Sequence, residues 1–379
     1  MANTLTSVLP SMLAQGVLAL RQMAVLPRLV NRDYEGLASR QGAVITIPIP
    51  SAIAARAVTP AVSFAANVDS APTQAVVTLD HWFEAPWQMS DSDYVSAGAN
   101  LMPMQASEAV KALANDADSF LWGKHIGFFN ASGTAGTTPF ASGVTNAITA
   151  RTLMNKSLAP PDNRWVALDP SAEGNFLGSP NVLQFNFEGS RDAIVRGAIG
   201  TKLGFDWYMD QNISTYTPGT GWATGFIAST VAGVIGQTTL NVLNATASGQ
   251  VKIGDIFTIV GNAQQYVITV TTTVSATVQS VITFYPALVA AAATGVTLVV
   301  VSVPYVANLA CHRDAFAWAS RPLQNVADGG NIFQSPLDPV SGIALRLELS
   351  RQYKQDTLSY DYLAGTNFVR RELGSKIFG

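Results

Sequence analysis

Residues 310–323 read ACHRDAFAWASRPL. The only cysteine of the chain, Cys311, stands here beside His312, one of three histidines, with Asp314 two positions further on. Such a cluster invites a nucleophilic reading. A Cys–His dyad, however, needs the imidazole within hydrogen-bond reach of the sulfur, and adjacent residues point their side chains to different sides of a strand or helix. His81 and His125 are remote, and nothing in the sequence brings them to Cys311. The stretch therefore reads as shape: a small buried thiol next to a surface or interface histidine.

The text just before it changes character. Between residues 218 and 304 only Lys252 and Asp255 are charged. Short β-branched runs (TTLNVL, DIFTIV, QYVITVTTT, SVITFYP, VTLVVVSV) alternate there with Gly, Asn and Ala-Ser-Gly signals, the rhythm of a small β-barrel or sandwich. Because α/β text resumes afterwards, this is an insertion and not a terminal domain. Residues 285–311 carry no charge and are long enough to span a bilayer, but Gly295, Pro304 and the β-branched run favour strands.

Upstream, RWVALDP (164–170) reads as a buried strand and DPSAEGNFLG as a turn into a short helix. In KLGFDWYMD, Leu203, Phe205, Trp207 and Met209 alternate with polar or small residues, which predicts a strand with one buried face. The clearest helix is expected over Ser107–Phe129, capped by Ser107, with Val110, Leu113, Ala117, Phe120 and Leu121 as its apolar stripe. Further helices are expected over 5–26, stopped by Pro27, near 146–157 and near 190–199. VITIPIP (44–50) places Ile45, Ile47 and Ile49 on one face, and its prolines confine it to an edge or a projecting arm. Residues 51–72 follow with almost no punctuation, and a loop of that length is generally functional or partner-bound. Downstream, Ile343, Leu345, Leu347 and Leu349 face one way, and Leu358, Tyr360 and Tyr362 repeat the pattern.

Composition bounds the function. Charged residues make up 12 % of the 379 residues and apolar ones 48 %, against about 25 % charged in an ordinary soluble protein. So little charge implies a surface largely covered by other molecules, copies of the chain itself being the simplest. A net charge of −3 argues against a sequence reader of nucleic acid but not against a protein that encloses it. One cysteine allows no intrachain disulfide and no cysteine-rich zinc site. The N-terminus lacks a secretory signature, so the sequons at Asn130, Asn212 and Asn244 read as chance. GTGWATG (219–225) has one residue too many for a dinucleotide loop and lacks its strand–helix context. No Walker loop, nucleophile elbow or His-Glu-x-x-His occurs. Asp91/Asp93 and Asp116/Asp118 read as a solvated turn and a helix face, and Trp82, Trp87 and Trp207 as core. No cofactor or metal is expected, and no enzyme.

Taken in order, several stretches resemble the coat-protein branch of tailed-phage major capsid proteins, typified by phage P-twenty-two and built on the Hong Kong 97 (HK97) fold. They are VTLDHWFEAPWQMSDSDY (77–94), the long helix, RWVALDP (164–170), GFDWYMDQNIS (204–214), VKIGDIFTIVG (251–261), LACHRDAFAWASRPL (309–323) and SRQYKQDTLSYDYLAG (350–365). The resemblance implies an α+β HK97-like chain with an inserted small β-barrel. It makes 1–36 an N-terminal arm, 37–76 the extended loop region, and 77–160 a peripheral domain with its spine helix at 107–129. Residues 161–217 become the first part of the axial domain, 218–304 the inserted domain, and 305–379 the axial and peripheral return with the C-terminal strands. It further implies self-assembly into pentamers and hexamers of an icosahedral head around double-stranded DNA. The implied partners are the chain itself, a separate scaffolding protein, a portal protein and a decoration protein, in a virion assembled in the host cytoplasm. Arg32, Asp33, Glu35 and Arg56 are the implied interface charges. The insertion is shorter and less charged than the resemblance leads one to expect. Rival readings are a tail-tube or fibre-like β-protein and, with no positive motif, a Cys/Ser hydrolase.

Overall fold

Cys311 lies in the middle of a seven-stranded mixed sheet in the computed structural model of the chain. The structure describes residues 25–35, 44–51, 53–58, 60, 70–141, 143–180, 197, 199–222, 226–228, 232–244, 248–321, 323, 332–334 and 343–379. The expected helix near 190–199 and most of the one over 5–26 lie outside these residues. Two compact units form: one from the described residues between Asn31 and Leu113 with Phe316–Val369, the other from Val25–Val30, Ala114–Ala315 and Arg370–Gly379.

In the second unit, Tyr305–His312 pairs antiparallel with Gly374–Phe378 on one side and Arg164–Leu168 on the other. Arg164–Leu168 runs parallel to Phe205–Met209, and Gly374–Phe378 parallel to Ala131–Ser132. Every residue of Arg164–Leu168 and Gly374–Phe378 is buried, which is why the first reads as an uninterrupted apolar run rather than an alternation. The helices Thr145–Lys156 and Pro170–Leu177 accompany this sheet, the second capped by Asp169, whose carboxylate accepts from Ser171 and Ala172. The KLGFDWYMD stretch differs from expectation at its start. Leu203 and Gly204, both at positive φ, make a two-residue turn between Thr201–Lys202 and Phe205–Met209. Phe205 and Trp207 are buried, while Met209 is exposed.

The insertion leaves this sheet at Thr215–Tyr216 and returns at Tyr305, where the two strands pair. Its strands form a six-stranded sheet in the order Leu298–Val300, Ile256–Ile259, Gln265–Ile268, Gln279–Tyr285, Thr239–Asn244, Phe226–Ala228. A separate pair, Gly249–Val251 with Thr272–Val274, accompanies it. Trp222, Phe257, Tyr266 and Phe284 pack in the core between them. A closed barrel is not seen: among the described residues the outermost strands, Leu298–Val300 and Phe226–Ala228, lie near one another but share no ladder. The chargeless run 285–311 is strand and turn, and no helix among the described residues is long and apolar enough to cross a membrane.

The first unit is a five-stranded antiparallel sheet centred on Gln355–Phe368. Leu345–Gln352 folds back on it through the turn at Tyr353–Lys354, and Phe316–Arg321 pairs with its second half. His81–Ser90 lies along its other edge, from Ser90 opposite Gln355 to His81 opposite Ala364. Ile343, Leu345, Leu347 and Leu349 are buried with Leu358, Tyr360 and Tyr362, as their alternation predicts.

The long helix spans Asp91–Trp122 and ends in a tight turn over Gly123–Gly127. It starts well before Ser107, which lies in its interior. Ser90 and Asp93 make the true cap: the Asp93 N–H donates to Ser90 Oγ at 3.3 Å and the Ser90 N–H to Asp93 Oδ2 at 3.1 Å, a reciprocal capping box. At 1.5 Å per residue the helix is about 48 Å long. Asp91 and Asp93 are thus its first turn, where carboxylates meet the positive end of the dipole. Pro27 lies in the first turn of the short helix Leu26–Leu29, where its missing N–H is no loss.

Candidate functional site

VITIPIP forms the strand Val44–Ile49, paired antiparallel with Thr73–Thr78 in a two-stranded hairpin. Ile45, Ile47, Ala75 and Val77 turn one face of it onto Ala317 and Ala319 of the five-stranded sheet. The seat is close. A Cβ on Gly365 would lie 2.2 Å from the Thr78 carbonyl oxygen, and Asn367 Nδ2 donates to the Val76 carbonyl at 2.6 Å. Beyond the stem the hydroxyls of Ser51 and Ser70 stand 3.4 Å apart. Residues 53–58 then run without helix or strand and are all exposed, Ile53 at 80 % and Val58 at 91 %. A rigid stem bearing exposed aliphatic residues can bury area only against another molecule or surface.

The four sequence-derived charges fall in two places. Arg32 reaches Glu35 through Nε at 3.2 Å and through Nη2 at 2.9 Å. Burial raises the Glu35 carboxyl above its ordinary range, opposed by Arg32 and Ser320. Asp33 is exposed, and its N–H donates to Asn31 Oδ1 at 2.9 Å. The Asn31 backbone pairs with Phe316 and Trp318, so this segment is stapled to the strand Phe316–Arg321. Arg56 sits apart, on the exposed loop of the hairpin. The structure brings Arg32 and Glu35 together and leaves Arg56 with Ile53 and Val58.

Sequence reasoning placed Trp82 in the core, but it is 61 % exposed and Phe83 beside it 48 %. Trp82 donates its indole N–H to Asp361 Oδ2 at 3.1 Å, and Arg346 grips the same carboxylate, so the ring is held outward in a fixed pose. Trp87 is half-buried and stacks on Tyr360, and Trp207 is buried as expected. Pro86 was the available signal, since a proline within a strand marks an edge.

The insertion is fastened by a buried polar joint. Asp255, 1 % exposed, accepts from Tyr216 OH at 2.9 Å, Trp222 Nε1 at 2.6 Å and the Lys252 N–H at 2.7 Å. Lys376, with no exposed surface, donates to the Gly254 carbonyl at 3.2 Å. Burial pushes its amine down to about 7, opposed by the Asp255 charge. His125 donates from Nδ1 to the Trp122 carbonyl at 3.0 Å; burial and then Lys376 push it down to about 3, so it is neutral.

Cys311 has no exposed surface and sits between Trp165 and Gly374 in the ladder. Burial raises its thiol well above the ordinary range, opposed by a backbone contact from Ser375. His312 is buried rather than on the surface, and its Nδ1 accepts the Asp314 N–H at 3.1 Å. A thiol of this kind is neither ionised nor reachable. Among the described residues no three His, Cys, Asp or Glu side chains gather into a metal-binding group.

No family model and no curated protein matches the chain. Solved structures do. A chain of Mycobacterium phage Che8 aligns with a TM-score of 0.52 at 16 % identity, over 94 % of this chain and 91 % of that one. A chain from the capsid structure of the cyanophage P-SCSP1u aligns with a TM-score of 0.52 at 12 % identity, over 94 % and 88 %. At such identities the likeness is one of fold, and it runs over nearly the whole length. The chain has the mixed α+β fold of these phage chains, in keeping with the HK97 fold that the sequence resemblance implies.

Proposed function

We propose that the chain is a major capsid protein, structural and non-enzymatic, that self-assembles into pentamers and hexamers of an icosahedral phage head enclosing double-stranded DNA. The observation that carries this reading is a fold shared over nearly the full length with chains from phage structures, one of them a capsid. The rigid hairpin with its exposed loop and the low charge of the chain support it: both are surfaces in want of a neighbour.

In this reading residues 1–36 form the N-terminal arm and 37–76 the extended loop that reaches over an adjacent subunit. Residues 77–160 form the peripheral domain, 161–217 the first part of the axial domain, 305–379 the axial and peripheral return with the C-terminal strands, and 218–304 an insertion of the P-twenty-two type. Arg32, Asp33, Glu35 and Arg56 are the charges of the intersubunit contact. Individual contacts need not be strong, because each subunit makes many and closure multiplies them. A slightly acidic chain suits an inner wall along which packaged DNA must slide. Scaffolding, portal and decoration proteins are the expected partners, and the virion head, assembled in the host cytoplasm, the expected location.

Deleting residues 52–69 tests the reading. A variant that keeps the circular dichroism and unfolding transition of the full chain but sediments only as small oligomers supports it. Particle formation at undiminished yield contradicts it.

A further inference from the structure

The long helix buries a carboxylate that assembly does not call for. Asp118, placed by the sequence on a helix face, lies on the buried stripe with Ala114, Ala117 and Leu121 and has no exposed surface. N–H groups take up both its oxygens. Oδ1 accepts from the backbone of Val25 at 3.3 Å and of Leu26 at 3.2 Å. Oδ2 accepts from Val25 at 3.4 Å and from Asn212 Nδ2 at 3.3 Å. Those backbone donors open the helix Leu26–Leu29, so one side chain fastens the segment Val25–Val30 to the second unit.

Beside it stands Asp210, 2 % exposed, just after the strand Phe205–Met209. Its Oδ1 accepts the Asn212 N–H at 2.8 Å, while its Oδ2 is buried without a hydrogen-bond partner. From the helix the neighbouring polar group is Asn115, whose Oδ1 lies 3.4 Å from Asn212 Nδ2. The short helix brings only Arg28, which is exposed. Among the described residues no lysine, arginine or histidine pairs with either carboxylate.

Two carboxylates in one dry site, with no cation paired to them among the described residues, do not both ionise. A metal ion and a proton are the alternatives. A divalent cation of the hard type takes about six or more oxygen ligands, but the oxygens of Asp118 are occupied by donors, which leaves Asp210 Oδ2 as the one buried oxygen with room. A proton needs only that. We propose that the buried Asp118 carboxyl, joined to Asp210 through Asn212, holds a proton and forms a proton-operated latch on the segment Val25–Val30, fastened while the proton is held and released when it is lost. The titration runs the same way. Burial first, and then the Asp210 charge, push the Asp118 carboxyl up to about 7, against the opposing N–H groups. Burial likewise raises Asp210.

In the released form the carboxyls return to their ordinary range near about 4. The fastened form therefore holds an extra proton between about pH 4 and 7. Fastening is at full strength at the acid end of that window, weakens as pH rises, and is level above about 7. Within the window each pH unit changes the ratio of fastened to released chain about tenfold. The latch does not depend on the assembly reading.

Amide hydrogen exchange of the full chain, read at Val25 and Leu26 and corrected for intrinsic exchange, tests this. Protection is expected to fall about tenfold per pH unit between about pH 5 and 7 and then to stay level. In Asp210→Asn, which keeps the shape and removes the charge, burial alone still raises the Asp118 carboxyl, so the fall is expected to shrink and to move to lower pH. A flat profile in the natural chain overturns the latch, whether or not the variant folds. So does a profile that is unchanged in Asp210→Asn. A slope abolished by millimolar Mg2+ or Ca2+ overturns it too, since a metal ion would then be what neutralises the pair.

Discussion

Tyr216 and Tyr305 are register partners on adjacent antiparallel strands, their ring centroids 5.3 Å apart, and the whole insertion is strung between them. Because the two ends meet in one ladder, the sheet beneath need not deform to accept the insertion, and loop-closure entropy grows only slowly with its length. The strength of the joint then rests on a few buried groups, Asp255 foremost.

Replacing Asp255 with alanine removes the acceptor of the Trp222 indole and of the Gly219 and Lys252 N–H groups, leaves the Tyr216 hydroxyl only the Ile253 carbonyl, and removes the charge that supports Lys376. Breaking such a buried arrangement is expected to lower stability by about 3–5 kcal/mol. Urea unfolding reads this directly. A loss under about 1 kcal/mol would mean that the joint does not hold the insertion.

Lys376 makes the joint pH-dependent. Its folded pKa is pushed down to about 7, below its unfolded value, so its contribution is complete above the unfolded value and is lost as pH falls towards 7. Lys376→Met should therefore gain on the natural chain as pH falls from about 10 to 7, by about 1.4 kcal/mol per unit, and the gap should be constant below. Parallel stability profiles across that range would contradict the placement of the amine.

Gly365 sets the seat of the hairpin. An alanine there meets the Thr78 carbonyl oxygen, and overpacking of this kind costs about 1–3 kcal/mol. The damage is expected in one place, so limited proteolysis should cut Gly365→Ala faster between residues 44 and 78 while the C-terminal strands stay protected. Uniform sensitivity along the chain would locate the strain elsewhere.

Cys311 should resist thiol reagents in the folded chain and react only in denaturant, and Cys311→Ser should leave the oligomeric state as it is. Rapid labelling of the native protein would show that the strand Tyr305–His312 is reachable.

The stretches legible in the sequence are those whose partners do not matter to the pattern. Trp165–Leu168 is apolar because both faces are covered, and Leu345, Leu347 and Leu349 alternate because one face is. The start of the long helix is masked in the sequence by Gly98 and Pro103, both poor helix formers, although Ser90 and Asp93 carry the capping-box spacing. Closure of the insertion was not legible, because it depends on whether strands distant in sequence meet. The Asp118–Asp210 pair joins residues from a helix and a strand end, and only the place of Asp118 beside Ala117 and Leu121 hinted at burial. The outward pose of Trp82 depends on Asp361, far along the chain, and no local pattern reports it.

Electron microscopy of the chain expressed in bacteria, alone and with its neighbouring scaffolding candidate, tests the central claim most directly. The capsid reading predicts closed shells, or curved sheets and polydisperse shell-like particles, in at least one of the two conditions. A monodisperse small oligomer in both would contradict it.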